Sequence, residues 1–164
     1  TMTTGAGQIP VWRNSKNASD SLHAANQALQ RGEAVIIYPE GTVTKDPDLW
    51  PMTGKTGAAR LALETGAPVI PVAMWGPQRL YDGRTKKVRL RPRTPVELVA
   101  GPPIDLSAWE GQPLTAPVLR SATEAIMRRL RDMLGEIRGE TPPEEFFRRP
   151  APVHPEDATE EAAS

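Results

Sequence analysis

A carboxylate, a hydroxyl and a lysine flank one loop in this sequence. Glu40, Gly41 and Thr42 follow an apolar run, and Lys55 opens the alanine-rich segment beyond the loop. A glycine lets backbone approach a ligand closely, a threonine hydroxyl donates a hydrogen bond, and an ammonium attracts an anion. These residue types predict a site for an anion such as phosphate. Because Glu40 cannot bind phosphate, we expect it to orient a cation or to accept a hydrogen bond from a substrate hydroxyl.

Arg13 is a further candidate for the same ligand. It ends a segment in which Ile9, Val11 and Arg13 alternate as in a short strand. A guanidinium can hold a phosphate through two parallel hydrogen bonds, so we expect Arg13 to contribute if its strand ends near Glu40. Taken singly, Glu40 is better explained as a solvated turn residue, Arg13 as a surface charge and Lys55 as a helix-terminus side chain. Their combination on adjacent strand ends favours a site.

Helical and strand patterns alternate along the chain. Helices are predicted from Asn17 or Ser19 to Gly32, over 56–65 and over 116–138, and strands over 8–13, 34–38, 68–75, 88–90 and 96–99. The continuous apolar runs 34–38 and 68–75 predict strands buried on both faces. We therefore predict the α/β class, with a largely parallel sheet flanked by helices. In such sheets ligands bind beyond the carboxyl ends of the strands, where Glu40 follows its strand.

The end of the sequence differs in composition from the rest. Residues 140–164 are rich in proline and acidic residues and carry almost no periodic apolar pattern, which predicts a disordered tail. We therefore expect one folded domain over residues 1–139. Because the sequence begins with Thr1 rather than Met, we expect this domain to be N-terminally incomplete.

Composition excludes several classes of function. The 164 residues contain 20 basic and 20 acidic side chains, so no global field attracts nucleic acid, and we expect no nucleic-acid partner. The absence of cysteine excludes disulfides, thiolate nucleophiles and cysteine-ligated metals. No apolar run approaches the roughly 20 residues of a membrane span, and no signal peptide is recognisable.

Two local patterns allow more than one interpretation. Basic residues are concentrated between positions 79 and 93: Arg79, Arg84, Lys86, Lys87, Arg89, Arg91 and Arg93. This run predicts either a solvated hairpin or contact with anionic lipid. The apolar loop residues 49–52 predict either a loop folded back on the core or contact with an acyl chain or a membrane.

A nucleotide-binding loop is a weaker alternative. Gly54, Lys55 and Thr56 match the end of the P-loop motif Gly-x-x-x-x-Gly-Lys-Thr, but Leu49 stands where the first glycine is required. The loop also does not follow a strand directly, as the motif demands.

Several blocks in the correct order resemble the glycerolipid acyltransferases that convert 1-acyl-sn-glycerol-3-phosphate to phosphatidic acid. Tyr-Pro-Glu-Gly-Thr at 38–42 resembles their Phe-Pro-Glu-Gly-Thr signature. Residues 7–13 resemble their Gly-x-Ile-x-x-x-Arg block, 55–62 their Lys-x-Gly helix start, and 69–76 their Ile-Pro-Val strand. The resemblance thus covers roughly residues 7–76.

The resemblance implies transfer of an acyl group from acyl-CoA or acyl carrier protein to a glycerol hydroxyl. It implies no metal and no tightly bound cofactor, and its partners are a lysophospholipid, an acyl thioester and a peripheral membrane surface. We expect a cytoplasmic protein at the inner face of the plasma membrane. The residues that would hold the phosphate and glycerol of the acceptor are Arg13, Glu40, Gly41, Thr42 and Lys55.

The sequence departs from the family pattern at the catalytic block. The family takes its catalytic His and Asp from Asn-His-x-x-x-x-Asp, which does not occur here, whereas His23 and His154 lie in other contexts. Val43 also stands where the family commonly has arginine. We therefore assign no catalytic residue, and we expect the chain as given to be inactive. A non-catalytic lipid-phosphate-binding protein of the same fold is the alternative.

Overall fold

The computed structural model describes residues 18–83, 85–89 and 93–148. Within them the helices and strands are α1 (Ala18–Gln30), α2 (Gly57–Thr65), β1 (Val72–Trp75), β2 (Tyr81–Asp82), β3 (Lys87–Val88), β4 (Glu97–Ala100) and α3 (Ala116–Arg138). Short 3-10 turns lie at Pro77–Arg79 and Ser107–Trp109. The predicted helices are confirmed to within a few residues.

The helix ends follow local signals in the sequence. Gly66 ends α2 in the left-handed conformation at φ 68° and donates its N–H to the Ala62 carbonyl. Gly139 ends α3 in the same way at φ 65°, and Pro117 lies in the first turn of that helix. Glycine tolerates positive φ and proline fits the first helical turn, so both boundaries are readable from sequence.

Helix α3 forms the centre of the core. Its buried side Leu119, Ala122, Ile126 and Met133 packs against α2 and β1. Small residues on the facing elements, Ala59 and Ala62 of α2 and Ala73 of β1, are buried there. Small side chains allow these elements to approach α3 closely. No helix in the described part of the chain is long and apolar enough to span a bilayer.

The two small sheets are antiparallel, so the predicted parallel sheet is not confirmed. Strand β1 pairs with β4 from Val72 opposite Ala100 to Trp75 opposite Glu97, and β2 pairs with β3. Parallel neighbours require a crossover, usually a helix, whereas a hairpin connects β1 to β4 and reverses the chain. Among the described residues, parallel pairing is limited to an isolated bridge between Met52 and Phe147.

Two strands predicted as buried on both faces are corrected by the structure. Residues 34–38 form no strand, and Ile36 and Tyr38 are 87% and 75% exposed. The second apolar run, residues 68–75, becomes a strand only at Val72, since Pro68 and Pro71 have no N–H to donate. Helix α3 packs on one face of β1, while Val72 and Met74 on the other face are 47% and 43% exposed. Apolar runs alone do not reveal such one-sided burial.

The predicted tail also begins too early. Residues 141–148 run back along α3 to the loop after Pro39, where the Thr53 N–H donates to the Phe147 carbonyl at 3.2 Å. Arg131 of α3 donates to the carbonyls of Pro143 and Glu144, each at 2.9 Å. Residues 149–164 lie outside the described part, so disorder there stays a prediction.

Candidate functional site

A tight turn and the start of α2 bring four of the predicted residues together. The Gly41 N–H donates to the Tyr38 carbonyl at 2.9 Å, and Gly41 adopts a left-handed φ of 66°. The Lys55 N–H donates to the Pro39 carbonyl at 2.8 Å, which fixes the start of α2 beside the turn. The Lys55 side chain lies over Gly41, where a Cβ would be 3.3 Å from Cε and from Nζ.

Two polar groups at this turn make no hydrogen bond or ion pair with the described part of the chain. In the described part of the chain, neither the Lys55 ammonium nor the Thr42 hydroxyl has a hydrogen-bond or ion-pair partner. No side chain caps the N-terminus of α2 at Thr56, so the first N–H groups of the helix are not used by a cap. An ammonium, a hydroxyl and uncapped N–H groups together favour an anion.

Glu40 holds the loop that leads to Lys55. Its Oε2 accepts the Met52 N–H at 2.9 Å. Burial raises the pKa of Glu40, and the nearby Asp46 carboxylate raises it further, while the Met52 hydrogen bond acts in the opposite direction. Glu40 therefore serves first to fix the loop, and whether it also orients Arg13 is untested, because Arg13 lies outside the described residues.

The loop between the turn and α2 is ordered by its own side chains. Thr44 Oγ1 donates to the Trp50 carbonyl at 2.6 Å and accepts the Asp46 N–H at 3.2 Å. Asp46 Oδ1 accepts the N–H groups of Asp48 and Trp50 at 2.9 and 3.2 Å. Trp50 and Met52 are buried, so the prediction that the loop folds back on the core is confirmed for these two residues.

Arg138 anchors this loop from the end of α3, and the sequence analysis missed its role. The guanidinium lies between two indole rings, 4.0 Å from the Trp50 centroid and 4.5 Å from that of Trp75. It donates to the Asp48 carbonyl at 2.8 Å and pairs with Glu140 at 2.5 Å. The hydrogen bond from Arg138 to the Asp48 carbonyl joins residues 90 positions apart, so no local sequence pattern predicts it.

The returning C-terminal segment holds the same loop from the other side. Besides the Phe147–Thr53 hydrogen bond, the Phe146 ring lies 5.3 Å from the Arg131 guanidinium. Gly54 is pressed against α3, where a Cβ would lie 2.8 Å from Met127 Sδ. Lys55 is therefore presented by a loop fixed at both sides.

A half-open cavity of about 490 Å³ lies along the same loop. It is lined by Thr53, Gly54, Thr56, Arg120, Thr123, Glu124, Met127, Arg128, Glu144, Glu145, Phe146 and Arg148. Lys55 does not line it, because its side chain lies over Gly41 instead. The cavity mixes both signs of charge, with Glu124 and Arg128 paired to each other, and therefore has no clear preference for an anion.

The geometry does not support a nucleotide-binding P-loop. A P-loop binds phosphates through free backbone N–H groups. Here the N–H groups of Trp50, Met52, Thr53 and Lys55 are bonded to Asp46, Glu40, Phe147 and Pro39. Leu49 occupies the position of the first P-loop glycine, although it is forced to a positive φ of 66°.

The histidines add no base to this turn within the described chain. His23 is an exposed residue of α1, and its Nε2 lies 3.0 Å from Nε2 of Gln27, one turn along the helix. It is thus a helix-surface residue, and His154 lies outside the described residues. The structure brings together Glu40, Gly41, Thr42 and Lys55, and their role as ligands stays a prediction.

Comparison with known proteins matches the N-terminal part of the chain. The Acyltransferase family model matches residues 1–75. A chloroplastic 1-acyl-sn-glycerol-3-phosphate acyltransferase, BAT2 of Brassica napus, is 35% identical over 71 residues, which are 43% of this chain and 20% of that protein. The 1-acyl-sn-glycerol-3-phosphate acyltransferase of Cocos nucifera is 31% identical over 98 residues, which are 59% of this chain and 30% of that protein. No solved structure matches the chain.

The family match includes the turn and the loop that form the candidate site. The chain spans less than a third of the length of the curated relatives it matches. Residues 1–75 contain all five residues predicted to hold the acceptor, from Arg13 to Lys55. On this evidence residues 1–75 match the Acyltransferase family model, and the relatives that the chain resembles are named 1-acyl-sn-glycerol-3-phosphate acyltransferases.

Proposed function

We propose that this chain binds the acceptor of a 1-acyl-glycerol-3-phosphate acyltransferase. In the reaction, the acceptor hydroxyl attacks the thioester of acyl-CoA or acyl carrier protein, phosphatidic acid forms, and the thiol leaves. The observation that carries the proposal is the position of the Lys55 side chain over Gly41, next to Thr42. The family match and the names of the relatives support the reaction class.

The physical chemistry of the turn suits a glycerol phosphate. A phosphate next to Lys55 would gain the attraction of a cation and hydrogen bonds from uncapped N–H groups of α2. The glycerol part needs hydrogen-bonding groups that match hydroxyls, which Thr42 and the second oxygen of Glu40 supply. Gly41 has no side chain, so the ligand can approach the backbone between them.

Acyl transfer also requires a base that removes the proton of the acceptor hydroxyl. In these 164 residues the family block Asn-His-x-x-x-x-Asp does not occur, so we propose acceptor binding for this chain and assign the base to no residue in it. A non-catalytic protein that binds lipid phosphates is the second candidate, and a full-length protein without this block would favour it.

Binding is tested with glycerol 3-phosphate, the water-soluble head of the acceptor. We expect chemical shifts of Gly41, Thr42 and Lys55 amides to change on titration in an NMR experiment. Lys55→Met should weaken binding at least about tenfold. Lys45→Met is the matched control, since Lys45 is an exposed lysine of the same loop, whereas the atoms nearest a Cβ at Gly41 belong to Lys55. Equal affinities for both variants would refute the site, and binding of Mg-ATP but not glycerol 3-phosphate would revive the nucleotide alternative.

Activity is tested in a protein that carries an Asn-His-x-x-x-x-Asp block upstream of this chain. Glu40→Gln and Arg13→Ala should each lower acyl transfer at least about tenfold, a loss of roughly 1.4 kcal/mol in transition-state stabilisation. His23→Ala should leave the rate unchanged, because this residue is exposed on α1. Glycerol 3-phosphate binding without any acyl transfer in such a protein would favour the non-catalytic alternative.

We also propose that the protein works as a peripheral protein at the cytoplasmic face of the plasma membrane. The support is the nature of the substrates, because a lysophospholipid resides in a lipid surface and its phosphate lies at that surface. Fluorescence microscopy of a tagged full-length protein tests the location, and a signal in another compartment would contradict it.

A further inference from the structure

We infer that the β2–β3 hairpin docks the protein on an anionic lipid bilayer. The inference rests on the proposed function, because it explains how a lipid acceptor reaches the turn at Gly41. Its supports are the charge of the hairpin, its exposed apolar pair and its position next to the site.

Positive charge is concentrated at this hairpin. Between positions 79 and 93 the sequence has seven basic residues and one acid, in a chain whose net charge is zero. Lys86, Lys87 and Arg89 are exposed, and within the described chain no ion pair neutralises them. The acid, Asp82, accepts hydrogen bonds from the Thr85 hydroxyl at 2.8 Å and its N–H at 3.4 Å, within the hairpin turn.

The hairpin also exposes an apolar pair. Tyr81 and Val88 are directly opposite each other in the ladder and are 50% and 65% exposed. Opposite residues of an antiparallel pair project from the same face, so the two side chains form one small apolar surface. Lys87 and Arg89 precede and follow Val88 in the strand and therefore project from the other face of this narrow ribbon. Tyrosine is a preferred residue at the interface between lipid and water. Lysine and arginine side chains are long enough to reach acidic headgroups while an apolar pair on the same narrow ribbon lies at the interface.

The hairpin touches the segment that forms the candidate site. A Cβ at Gly83 would lie 2.9 Å from Cγ2 of Val43, so the turn of the hairpin packs against the residue that follows Thr42. A bilayer bound at the hairpin therefore lies near the turn of Gly41. Lysophosphatidate presents its phosphate and free hydroxyl at the surface of such a bilayer, within reach of that turn.

A nucleic acid is also an anionic partner, but the hairpin fits it less well. Phosphate contacts require cations, whereas the exposed valine opposite Tyr81 contributes nothing to a phosphate backbone. The apolar pair contributes to lipid binding because it is removed from water at the interface. Nucleic-acid binding is therefore an outcome that the experiment must distinguish.

Co-sedimentation with vesicles tests the inference on the full chain. We expect binding to vesicles of phosphatidylcholine and phosphatidylglycerol in equal parts, and little binding to phosphatidylcholine alone. Each basic residue near an anionic surface changes partitioning roughly fivefold, so the triple variant Lys86→Gln, Lys87→Gln, Arg89→Gln should lose about 100-fold. The triple variant Arg31→Gln, Arg120→Gln, Arg128→Gln is the matched control, with the same charge change at other exposed positions.

A second pair of variants tests the apolar contribution. Val88→Thr keeps a β-branched side chain in the strand and should weaken vesicle binding by about threefold to tenfold. Ile36→Thr, at another exposed apolar residue, should leave it unchanged. Equal loss in both triple variants would overturn the inference, as would a stronger effect of the hairpin triple variant on binding to single-stranded DNA than on binding to vesicles.

The outcome is separable from that of the proposed function. Glycerol 3-phosphate binding in solution should be unchanged in the hairpin variants, since the probe is soluble. If that probe binds but the hairpin variants keep full vesicle binding, the docking inference fails and the proposed function stands. If vesicle binding depends on the hairpin but glycerol 3-phosphate does not bind, docking stands and the proposed function fails.

Discussion

Replacing Gly41 by alanine should separate the conformational role of this residue from its role in the site. Gly41 and Gly66 have nearly the same left-handed backbone, at φ 66° and 68°. A Cβ at Gly41 would lie 3.3 Å from Lys55 Cε and Nζ, whereas a Cβ at Gly66 would meet nothing within 4 Å. A comparison of Gly41→Ala with Gly66→Ala therefore isolates the effect of the contact with Lys55, because both variants have the same backbone strain.

The expected magnitudes differ accordingly. Alanine at positive φ costs about 1 kcal/mol relative to glycine, so each variant should lower the melting temperature by about 4 °C. At Gly41 the new methyl also displaces the Lys55 ammonium. Moving that charge from about 4 to 4.3 Å from a phosphate at an effective dielectric constant near 20 loses about 0.3 kcal/mol. A lost hydrogen bond adds about 1 kcal/mol, so binding of glycerol 3-phosphate should weaken roughly tenfold.

Calorimetry and NMR titration with glycerol 3-phosphate measure the two effects in the same samples. Gly41→Ala should lose both stability and affinity, and Gly66→Ala should lose stability alone. Two results would refute the reasoning: equal affinity losses in both variants, or full affinity in Gly41→Ala. The first would mean that destabilisation alone impairs binding, and the second that Lys55 is not part of the phosphate site.

Three further predictions concern the groups that hold the loop. Because burial raises the pKa of Glu40, its favourable contribution to stability is complete at low pH and is lost as the pH rises through its folded-state pKa. In urea unfolding, the stability of Glu40→Gln relative to wild type should therefore increase from acidic to neutral pH, and a difference that does not change with pH would contradict this. Arg138→Ala should lower the free energy of unfolding in urea by about 3 kcal/mol, since this side chain is 8% exposed between two indole rings. Arg129→Ala removes a partly exposed ion pair and should cost less than about 0.5 kcal/mol; similar losses in both variants would show that Arg138 does not anchor the loop. Truncation after Glu140 should weaken glycerol 3-phosphate binding and speed hydrogen exchange of the loop amides, whereas truncation after Arg148 should leave both as in wild type. Identical behaviour of the two truncated chains would show that the returning segment does not position the loop.

The helices were predictable because their signals are local. The ends of α2 and α3 are marked by Gly66 and Gly139, whose positive φ only glycine adopts easily. The apolar positions of α3 recur at helical spacing, and its bounds agree with the prediction over residues 116–138. Local rules need no knowledge of the partner element, so a single sequence is enough to apply them.

The sheet was not predictable in the same way, because strand direction and burial depend on partners distant in sequence. An apolar run such as 68–75 has the same composition whether one face or both are covered, and in the structure Val72 and Met74 of this run are half exposed. Antiparallel pairing of β1 with β4 follows from the hairpin between them rather than from either strand. The prediction of a parallel sheet came from the alternation of helices with apolar runs, and this alternation does not fix the direction of neighbouring strands.

The candidate site shows the same division between local and distant causes. The turn at Glu40, Gly41 and Thr42 and the lysine that opens α2 are recognisable from residue types and spacing. The anchoring of the loop is not, since Arg138 is 90 positions from Asp48 and Phe147 is 94 from Thr53. A sequence can therefore name the ligand groups of such a site before it can say what holds them in place.

This division has a consequence for the family match. The match ends at residue 75, yet Arg138 and the segment around Phe147 that fix the loop lie beyond it. The presenting loop has Trp50 and Met52 buried, and α3 with the returning segment supplies much of what covers them. Residues 1–75 alone would retain the ligand groups but would lose these anchors and expose both side chains to water. Since binding affinity depends on how well such groups are preorganised, the C-terminal half of this chain is as much a determinant of acceptor affinity as the turn itself.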